Sequence, residues 1–376
     1  MDKTNCLQRS PYAVHSSPHQ RGFSLIELMI SVVIGLLGVM VIFQVLSVWD
    51  SRKRTATSGS DAQIAGNIGM FNLERDLKLA GYGFGSVPDN IIGCTVQALN
   101  ASSVASNFAF LPVLITQGSG AATNTGEGGA PDTIAVLYGN SNFFVDIQRF
   151  TFATNTSKKS QSRAGIMRGD LMIVSDNPAT PGTANCAMVE VTDDSDPDRL
   201  TFVHAQANYV PATGGAARAS RFNPSTGTAF AFLTGRMFNL GPAPARNVWQ
   251  IRTGSVLAFT NTIMATPMQD VAEGIVDLQA QYGVGSPITW TANAPTDWSQ
   301  VQAIRIAILS RSQKFEPAPI TTTAPTYFGN TLSFNMTNVF GASSSNATSN
   351  PFNWRNYRYR VYEKVIPLRN VIWGNT

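Results

Sequence analysis

Histidine, cysteine and charge are all scarce in this chain. Of 376 residues only three are histidine and three cysteine, and charged residues make up 13%. The histidines, His15, His19 and His204, fall in no Cys/His cluster with metal-ligand spacing. There is no H-E-x-x-H, no G-x-x-x-x-G-K-[ST] phosphate loop and no G-x-S-x-G nucleophile elbow. These absences argue against an enzyme, a metal site and a cofactor site, so none of the three is expected. The 27 basic residues exceed the 23 acidic ones by only four, too little to mark a nucleic-acid-binding domain by bulk charge. There is no internal repeat.

What the chain does have is one long apolar run. From Leu28 to Trp49 no residue is charged, and Asp50 ends the stretch. Those 22 residues span about 33 Å as a helix, enough to cross a bilayer core. Glu27 stands at the start of the run. A carboxylate there costs roughly 3 kcal/mol unless it is paired, which makes it a functional candidate. Gly22, five residues earlier, has no side chain to hinder a protease approaching the backbone.

Gly22-Phe23-Ser24-Leu25-Ile26-Glu27, followed by the apolar run, resembles the prepilin signature of type IV pilins and type II secretion pseudopilins. Ser24 stands where threonine is common, a mild departure. The resemblance implies that a membrane peptidase cuts between Gly22 and Phe23, and that the new Phe23 amine is N-methylated. It also implies that Glu27 helps dock the subunit into a growing filament. The residues agree physically: a freed Phe23 amine would lie one helical turn from Glu27, and pairing would relieve two charges that are costly in lipid. An incoming subunit could satisfy Glu27 with its own amine or lend that amine to a neighbour. The alternative is an uncleaved signal anchor with an incidental glutamate.

Cleavage would remove residues 1–22, and with them His15, His19 and Cys6. The leader also takes three basic residues and one acidic one, so the mature chain keeps 24 basic and 22 acidic residues. Flanking charge leaves topology undecided, since Arg9 and Arg21 oppose Arg52, Lys53 and Arg54. The resemblance places the N-terminus in the cytoplasm and the bulk of the chain in the periplasm of a bacterium. Cys94 and Cys186 then sit in an oxidising compartment and read as a disulfide, two separate buried thiols being the alternative.

Beyond Asp50 the helix is predicted to continue to about Ala80, where Gly81-Tyr82-Gly83-Phe84-Gly85 breaks it. Asp61–Ala80 lacks proline, and Glu74 and Lys78 form a favourable i,i+4 pair. Apolar residues lie on two sides: Ile64, Ile68, Phe71 and Leu79 on one, Met70, Leu73, Leu77 and Ala80 nearly opposite. Such a helix needs two partners, its own domain and a neighbouring subunit, unless its own domain encloses it. Short β-like runs follow. They are Thr133–Tyr138, Phe144–Phe152, Asp170–Ser175, Ala187–Thr192, Leu200–His204, Ala229–Leu233, Val248–Arg252 and Val256–Thr260, then Ile275–Tyr282, Val301–Arg311, Thr331–Phe334 and Arg358–Ile366. In Ile304-Arg305-Ile306-Ala307-Ile308 the isoleucines alternate as in a half-buried strand. Gly118–Pro131, Thr154–Arg163, Pro211–Gly227 and Ala342–Pro351 read as exposed loops.

Several of these stretches together resemble the PilW-type minor pilins: Asn72–Tyr82, Gly169–Leu171, Ile275–Gly283 and Val365–Asn370. The resemblance implies an α+β fold, a long N-terminal transmembrane/amphipathic helix packed on a mainly antiparallel β domain. The expected divisions are a leader (1–22), a membrane half of the helix (23–49), an amphipathic half (50–80) and a β domain (81–376). It implies a single-pass inner-membrane protein with a periplasmic C-terminal domain, later carried into the pilus at the cell surface. Its expected partners are other minor pilins, the major pilin and the prepilin peptidase, and its expected role is to help initiate type IV pilus assembly, near the tip. A type II secretion pseudopilin and a pilus-associated adhesin or DNA-binding module remain the alternatives.

Three further features have a plainer reading beside a functional one. His204 reads as a surface residue at a strand end. Asp193-Asp194-Ser195-Asp196-Pro197-Asp198 could offer oxygens to calcium but lacks the glycine and terminal glutamate of an EF-hand loop, so it reads as an acidic turn. The tail from Trp354 to Lys364 interleaves aromatic and basic residues. As a strand it puts Tyr357, Tyr359, Val361 and Val365 on a core face, and Arg358, Arg360, Tyr362 and Lys364 on a solvated one, so nucleic acid is not an expected partner.

Overall fold

The computed structural model of the chain describes residues 22–84, 87, 90–118, 129–141, 147–162, 165–178, 183–198, 200–228, 232, 234–316, 318–336 and 353–372. Helix α1 (Leu25–Leu79) runs for 55 residues. The chain divides into two units, Met1–Ala56 and Thr57–Thr376. Of the expected leader, only Gly22 falls among the described residues.

The first unit is the apolar part of α1. Leu25–Asp50 has a mean hydropathy of 2.7, and none of its most apolar window is buried. By length and composition it can cross a membrane: 26 residues rise about 39 Å. A helix apolar all round, with no protein covering it, fits a lipid environment or a bundle of like helices.

The second unit is built mostly of antiparallel sheet, its strands numbered β1 to β21 in chain order. An eight-stranded sheet contains β1 (Thr95–Gln97), β2 (Phe108–Ala109), β5 (Gln148–Ala153), β6 (Ser157–Ser160), β7 (Leu171–Ser175), β8 (Cys186–Glu190), β9 (Thr201–Val203) and β12 (Gly235–Gly241). Its order is β2-β1-β8-β7-β12-β5-β6-β9, and β1 with β8 is its parallel pair. A five-stranded sheet holds β3 (Val113–Thr116), β4 (Thr133–Tyr138), β13 (Ala245–Arg252), β14 (Val256–Asn261) and β15 (Gln269–Glu273). A four-stranded sheet, ordered β17-β16-β18-β21, holds β16 (Ile275–Val284), β17 (Thr289–Thr291), β18 (Val301–Arg311) and β21 (Tyr359–Pro367). Two small hairpins complete the set, β10 (Asn208–Tyr209) with β11 (Arg218–Ala219) and β19 (Thr326–Tyr327) with β20 (Leu332–Ser333).

The lower part of α1 belongs to the main core. Met70, Leu73, Leu77 and Ala80 pack with Ile134, Val136, Trp249 and Leu257 of the five-stranded sheet, and with Leu278, Ile304, Ile306, Ile308 and Ile366 of the four-stranded one. Full burial of a leucine such as Leu73 or Leu77 contributes about 2 kcal/mol. The helix sits close because it is small where it touches. A Cβ on Gly66 would lie 2.0 Å from the Tyr362 ring, and one on Gly69 would lie 3.0 Å from Leu257. Gly81, at φ 78, provides the left-handed residue that ends the helix, and its N–H donates to the Leu137 carbonyl at 3.0 Å.

Strand β18 has cover on both faces. Ile304, Ile306 and Ile308 face the α1 core, while Ala307 and Leu309 join Tyr327, Phe328, Phe334 and Trp354 in another cluster. The half-buried pattern expected there holds for Arg305 but not for Ala307, because the 320s and the Trp354 turn cover the second face.

Several strand expectations need correction. The predicted loop Thr154–Arg163 contains β6, and Pro211–Gly227 contains β11. Strand β12 lies inside the eight-stranded sheet, between β7 and β5, but was expected as Ala229–Leu233; of those residues only Phe232 is described, outside any strand. Its sequence, Gly235-Arg236-Met237-Phe238-Asn239-Leu240-Gly241, is buried on both faces and so shows no alternation. Most of Phe144–Ile147 and all of Ala342–Pro351 lie outside the described residues. The tail is corrected in part: Tyr359 and Val361 pack on the Trp354 cluster as expected, but the face expected to be solvated is turned to α1. The Tyr362 hydroxyl donates to the Gln63 carbonyl at 3.0 Å, Lys364 bonds Glu74 at 2.7 Å, and Val365, expected inside, is 56% exposed.

Candidate assembly site

Gly22 and Phe23 precede the helix in open backbone. A Cβ on Gly22 would meet nothing within 4 Å, and Phe23 is 84% exposed. The Ser24 carbonyl starts the helix, accepting from the N–H of Glu27 at 3.0 Å and of Leu28 at 3.1 Å. Glu27 therefore sits in the first turn, where the helix dipole favours a carboxylate. The Ser31 hydroxyl bonds the Glu27 carbonyl at 2.7 Å. From Leu25 to Trp49, Glu27 is the one charged residue, and every position there is exposed. Phe23 and Glu27 are four residues apart at the exposed start of the helix.

Within the second unit α1 presents two unlike faces. Ile64, Ile68, Phe71 and Leu79 are between 40% and 64% exposed, whereas Met70, Leu73, Leu77 and Ala80 are buried. The domain covers one stripe and leaves the other open, so it does not enclose the helix. Polar contacts fasten the covered side. Asp76, 2% exposed, accepts from Asn247 Nδ2 at 2.7 Å, Trp249 Nε1 at 2.9 Å and the Tyr138 hydroxyl at 3.3 Å. Burial and the nearby Asp76 charge push the Tyr138 phenol up to about 12. Glu74 takes Lys364 and Lys78, each at 2.7 Å, and those hydrogen bonds hold its carboxyl below the usual range. The Ser310 hydroxyl donates to the Ala62 carbonyl, and Asn370 Nδ2 reaches the Leu79 and Ala80 carbonyls at the helix end. Sequence reasoning missed Asp76. Its signal was a carboxylate between Leu73 and Leu77, inside the apolar stripe.

Cys94 and Cys186 form a disulfide across a sequence separation of 92, beside the β1–β8 pairing. The acidic turn uses its carboxylates internally. Asp193 accepts from the Ser195 N–H and hydroxyl at 3.0 Å, Asp194 pairs with Arg168 at 2.8 Å, and Asp196 accepts from the Thr201 N–H at 2.9 Å. Among the described residues no group of three or more His, Cys, Asp or Glu could hold a metal.

His204 is not the surface residue expected. It is 1% exposed, and its Nε2 lies 3.0 Å from Nζ of Lys158, which is itself buried. Lys158 donates to the Thr154 carbonyl at 2.7 Å as well. Burial, with Lys158 beside it, pushes the imidazole from 6.5 down to about 3, and burial lowers the lysine from 10.5 to about 8. Near neutral pH a protonated Lys158 therefore donates to a neutral His204. The unfolded chain takes up a proton on His204 below pH 6.5 that the folded chain refuses, so stability falls as pH drops below 6.5. The expected loss is about 1.4 kcal/mol per pH unit, or about 2 kcal/mol between pH 6.5 and 5. His204→Gln keeps an acceptor for Lys158 and cannot titrate. Urea midpoints of parent and variant, measured from pH 7 to 5, should diverge by this amount; parallel curves would remove His204 from the acid response.

An exposed, apolar N-terminal helix with a lone carboxylate in its first turn leads into an antiparallel β domain, the layout expected of a membrane-anchored pilin. Residues 17–43 match the family model described as the prokaryotic N-terminal methylation motif. Residues 250–370 match PilW, described as type IV pilus-assembly protein W, and on both counts the chain matches a PilW-type pilin. That second match spans β14 to β21 and the end of the chain's main core. No curated protein and no solved structure matches the chain.

Proposed function

We propose that the chain is a minor pilin that helps initiate type IV pilus assembly and is then incorporated near the pilus tip. In this reading residues 1–22 are a leader removed by the prepilin peptidase, and Phe23 becomes the N-methylated first residue. Residues 23–49 hold the subunit in the bacterial inner membrane and 50–80 form the amphipathic half of the helix. The β domain, 81–376, lies in the periplasm until the subunit enters the filament beside other minor pilins and the major pilin.

The observation that carries the reading is Glu27, the one charge between Leu25 and Trp49 of the apolar segment, four positions from the proposed amine. In lipid that carboxylate is costly until it is paired, and a neighbouring subunit's Phe23 amine is the counter-ion the reading supplies. The open Ile64/Ile68/Phe71/Leu79 stripe supports lateral packing, since a soluble surface rarely leaves such a row bare. The PilW match favours the pilus over a type II secretion machine, which would use the same N-terminus.

The test is the N-terminal mass of the mature protein together with Glu27→Ala. Methylated Phe23 is expected at the start of the chain. Glu27→Ala should enter the membrane and lose its leader normally but reach sheared pili at least ~10-fold less often, the factor set by losing one paired charge in lipid. Equal incorporation would remove Glu27 from docking, and a chain still beginning upstream of Gly22 would end the prepilin reading.

A further inference from the structure

Among the described residues, strand β21 is paired on one side only. The Leu368 N–H donates to the Gln302 carbonyl and the Ser312 N–H to the Arg358 carbonyl, each at 2.8 Å. In an antiparallel ladder such bonded pairs recur at every second residue. With Ile304 opposite Ile366 and Ser310 opposite Arg360, the even-numbered residues of β21 turn their peptide groups toward β18. Val361, Glu363 and Val365 turn theirs away. Among the described residues no hydrogen bond satisfies those outward groups. The strand runs nine residues with no register shift against β18 and no proline before its last position. Exposed edges of this kind are usually interrupted by bulges or proline.

A cleft of about 340 Å³ opens beside the same edge, lined by Trp290, Arg305 and Phe328 together with Glu363, Lys364 and Val365 of β21. The Arg305 guanidinium lies 4.8 Å from the centre of the Trp290 ring and 4.0 Å from that of Phe328. Phe328 takes φ 51, a left-handed conformation unfavourable to a side chain of its size, in the turn that brings it there. An added strand supplies the missing peptide partners, and a cleft beside it receives alternate side chains.

We propose that the outer edge of β21 accepts an extended segment of a different pilin subunit as an added strand, with one of its side chains seated in the cleft lined by Trp290, Arg305, Phe328 and Val365. The partner's class rests on the pilin reading above; the surface does not. Charge argues against a second copy of this chain. Odd residues must face odd residues across an antiparallel junction, and the self-pairings that keep at least seven of the nine residues matched centre on residue 362, 363 or 364. Those registers set Arg360 against Lys364, Glu363 against itself, or Lys364 against itself, and like charges directly opposite are destabilising. A complementary strand carries an acidic side chain opposite Arg360 on one face and the side chain that enters the cleft on the other.

The test places a photo-crosslinking amino acid at position 363 of the full chain, in cells that assemble pili, and maps the product by mass spectrometry. A cross-link to an extended segment of a different prepilin-type subunit is expected. Val365→Pro removes an outward N–H without touching the β18 ladder and should cut the yield about 10-fold, with the thermal midpoint unchanged. If that variant unfolds, Val365→Lys, which puts a charge at the cleft mouth and leaves the backbone intact, should cut the yield likewise. No cross-link, a cross-link to a second copy or to a protein that is not a pilin, or full yield from the folded variant overturns the proposal. The N-terminal mass from the same cells keeps the two readings apart: methylated Phe23 without the cross-link sinks the edge alone, and an unprocessed N-terminus sinks the pilin reading.

Discussion

Asp76→Ala is expected to lower the unfolding free energy by about 3–5 kcal/mol, the scale of leaving several buried donors unsatisfied at once. The carboxylate is 2% exposed and serves three donors, on Tyr138, Asn247 and Trp249, which lie on β4 and β13. Alanine leaves all three facing a void, each costing roughly 1–3 kcal/mol when unsatisfied in the interior. Asp76→Asn keeps one acceptor oxygen and should lose clearly less. The tyrosine offers a second readout. Its phenol is held up at about 12 first by burial and then by Asp76, so in Asp76→Ala it should titrate lower, though still above the ordinary 10. Urea unfolding of the full chain in detergent gives the first number and ultraviolet titration the second. A loss below 1 kcal/mol, or equal losses for alanine and asparagine, would show that α1 is held to the sheet by packing alone.

Asp76 also marks where the sequence could be read and where it could not. The apolar run, Glu27 and the two stripes of α1 were legible because each depends on local spacing along one helix, and the split between covered and open stripes follows that spacing. The helix end was legible too, since glycine at 81 can adopt the left-handed turn there. The long strands β4 and β18 have the bounds expected from their runs of β-branched residues. Strand β12 escaped because both its faces are buried and its apolar residues therefore do not alternate. His204 escaped because Lys158, which shares its burial, is 46 residues away in the chain. The tail was read only in part for a related reason: Tyr359 and Val361 do pack on the cluster around Trp354, but the face bearing Tyr362 and Lys364 meets α1. Alternation separates two faces of a strand but does not say which one meets a helix about 290 residues earlier.

The other large effect concerns the disulfide. Cys94→Ala is expected to cost about 4–5 kcal/mol of unfolding free energy, and the double variant with Cys186→Ala about the same, since either change opens the same loop. Closing a loop of 92 residues restricts the unfolded chain by that amount in the chain-entropy treatment. Total stabilities of 5–15 kcal/mol make this a large fraction of the whole. The native site gives little back: both half-cystines are buried among Phe84, Ile91, Val96 and Phe108, and alanine fills that space less well. The bond also ties the residue before β1 to the first residue of β8, at the parallel junction of the eight-stranded sheet. Chemical denaturation with and without reductant separates the contributions. If the unfolded chain is the seat of the effect, the reduced and alanine forms should show lower midpoints and larger denaturant slopes, because an unconstrained chain exposes more surface. Unfolding free energies within about 1 kcal/mol of the oxidised parent would mean that the sheet holds Cys94 against Cys186 without help from the bond.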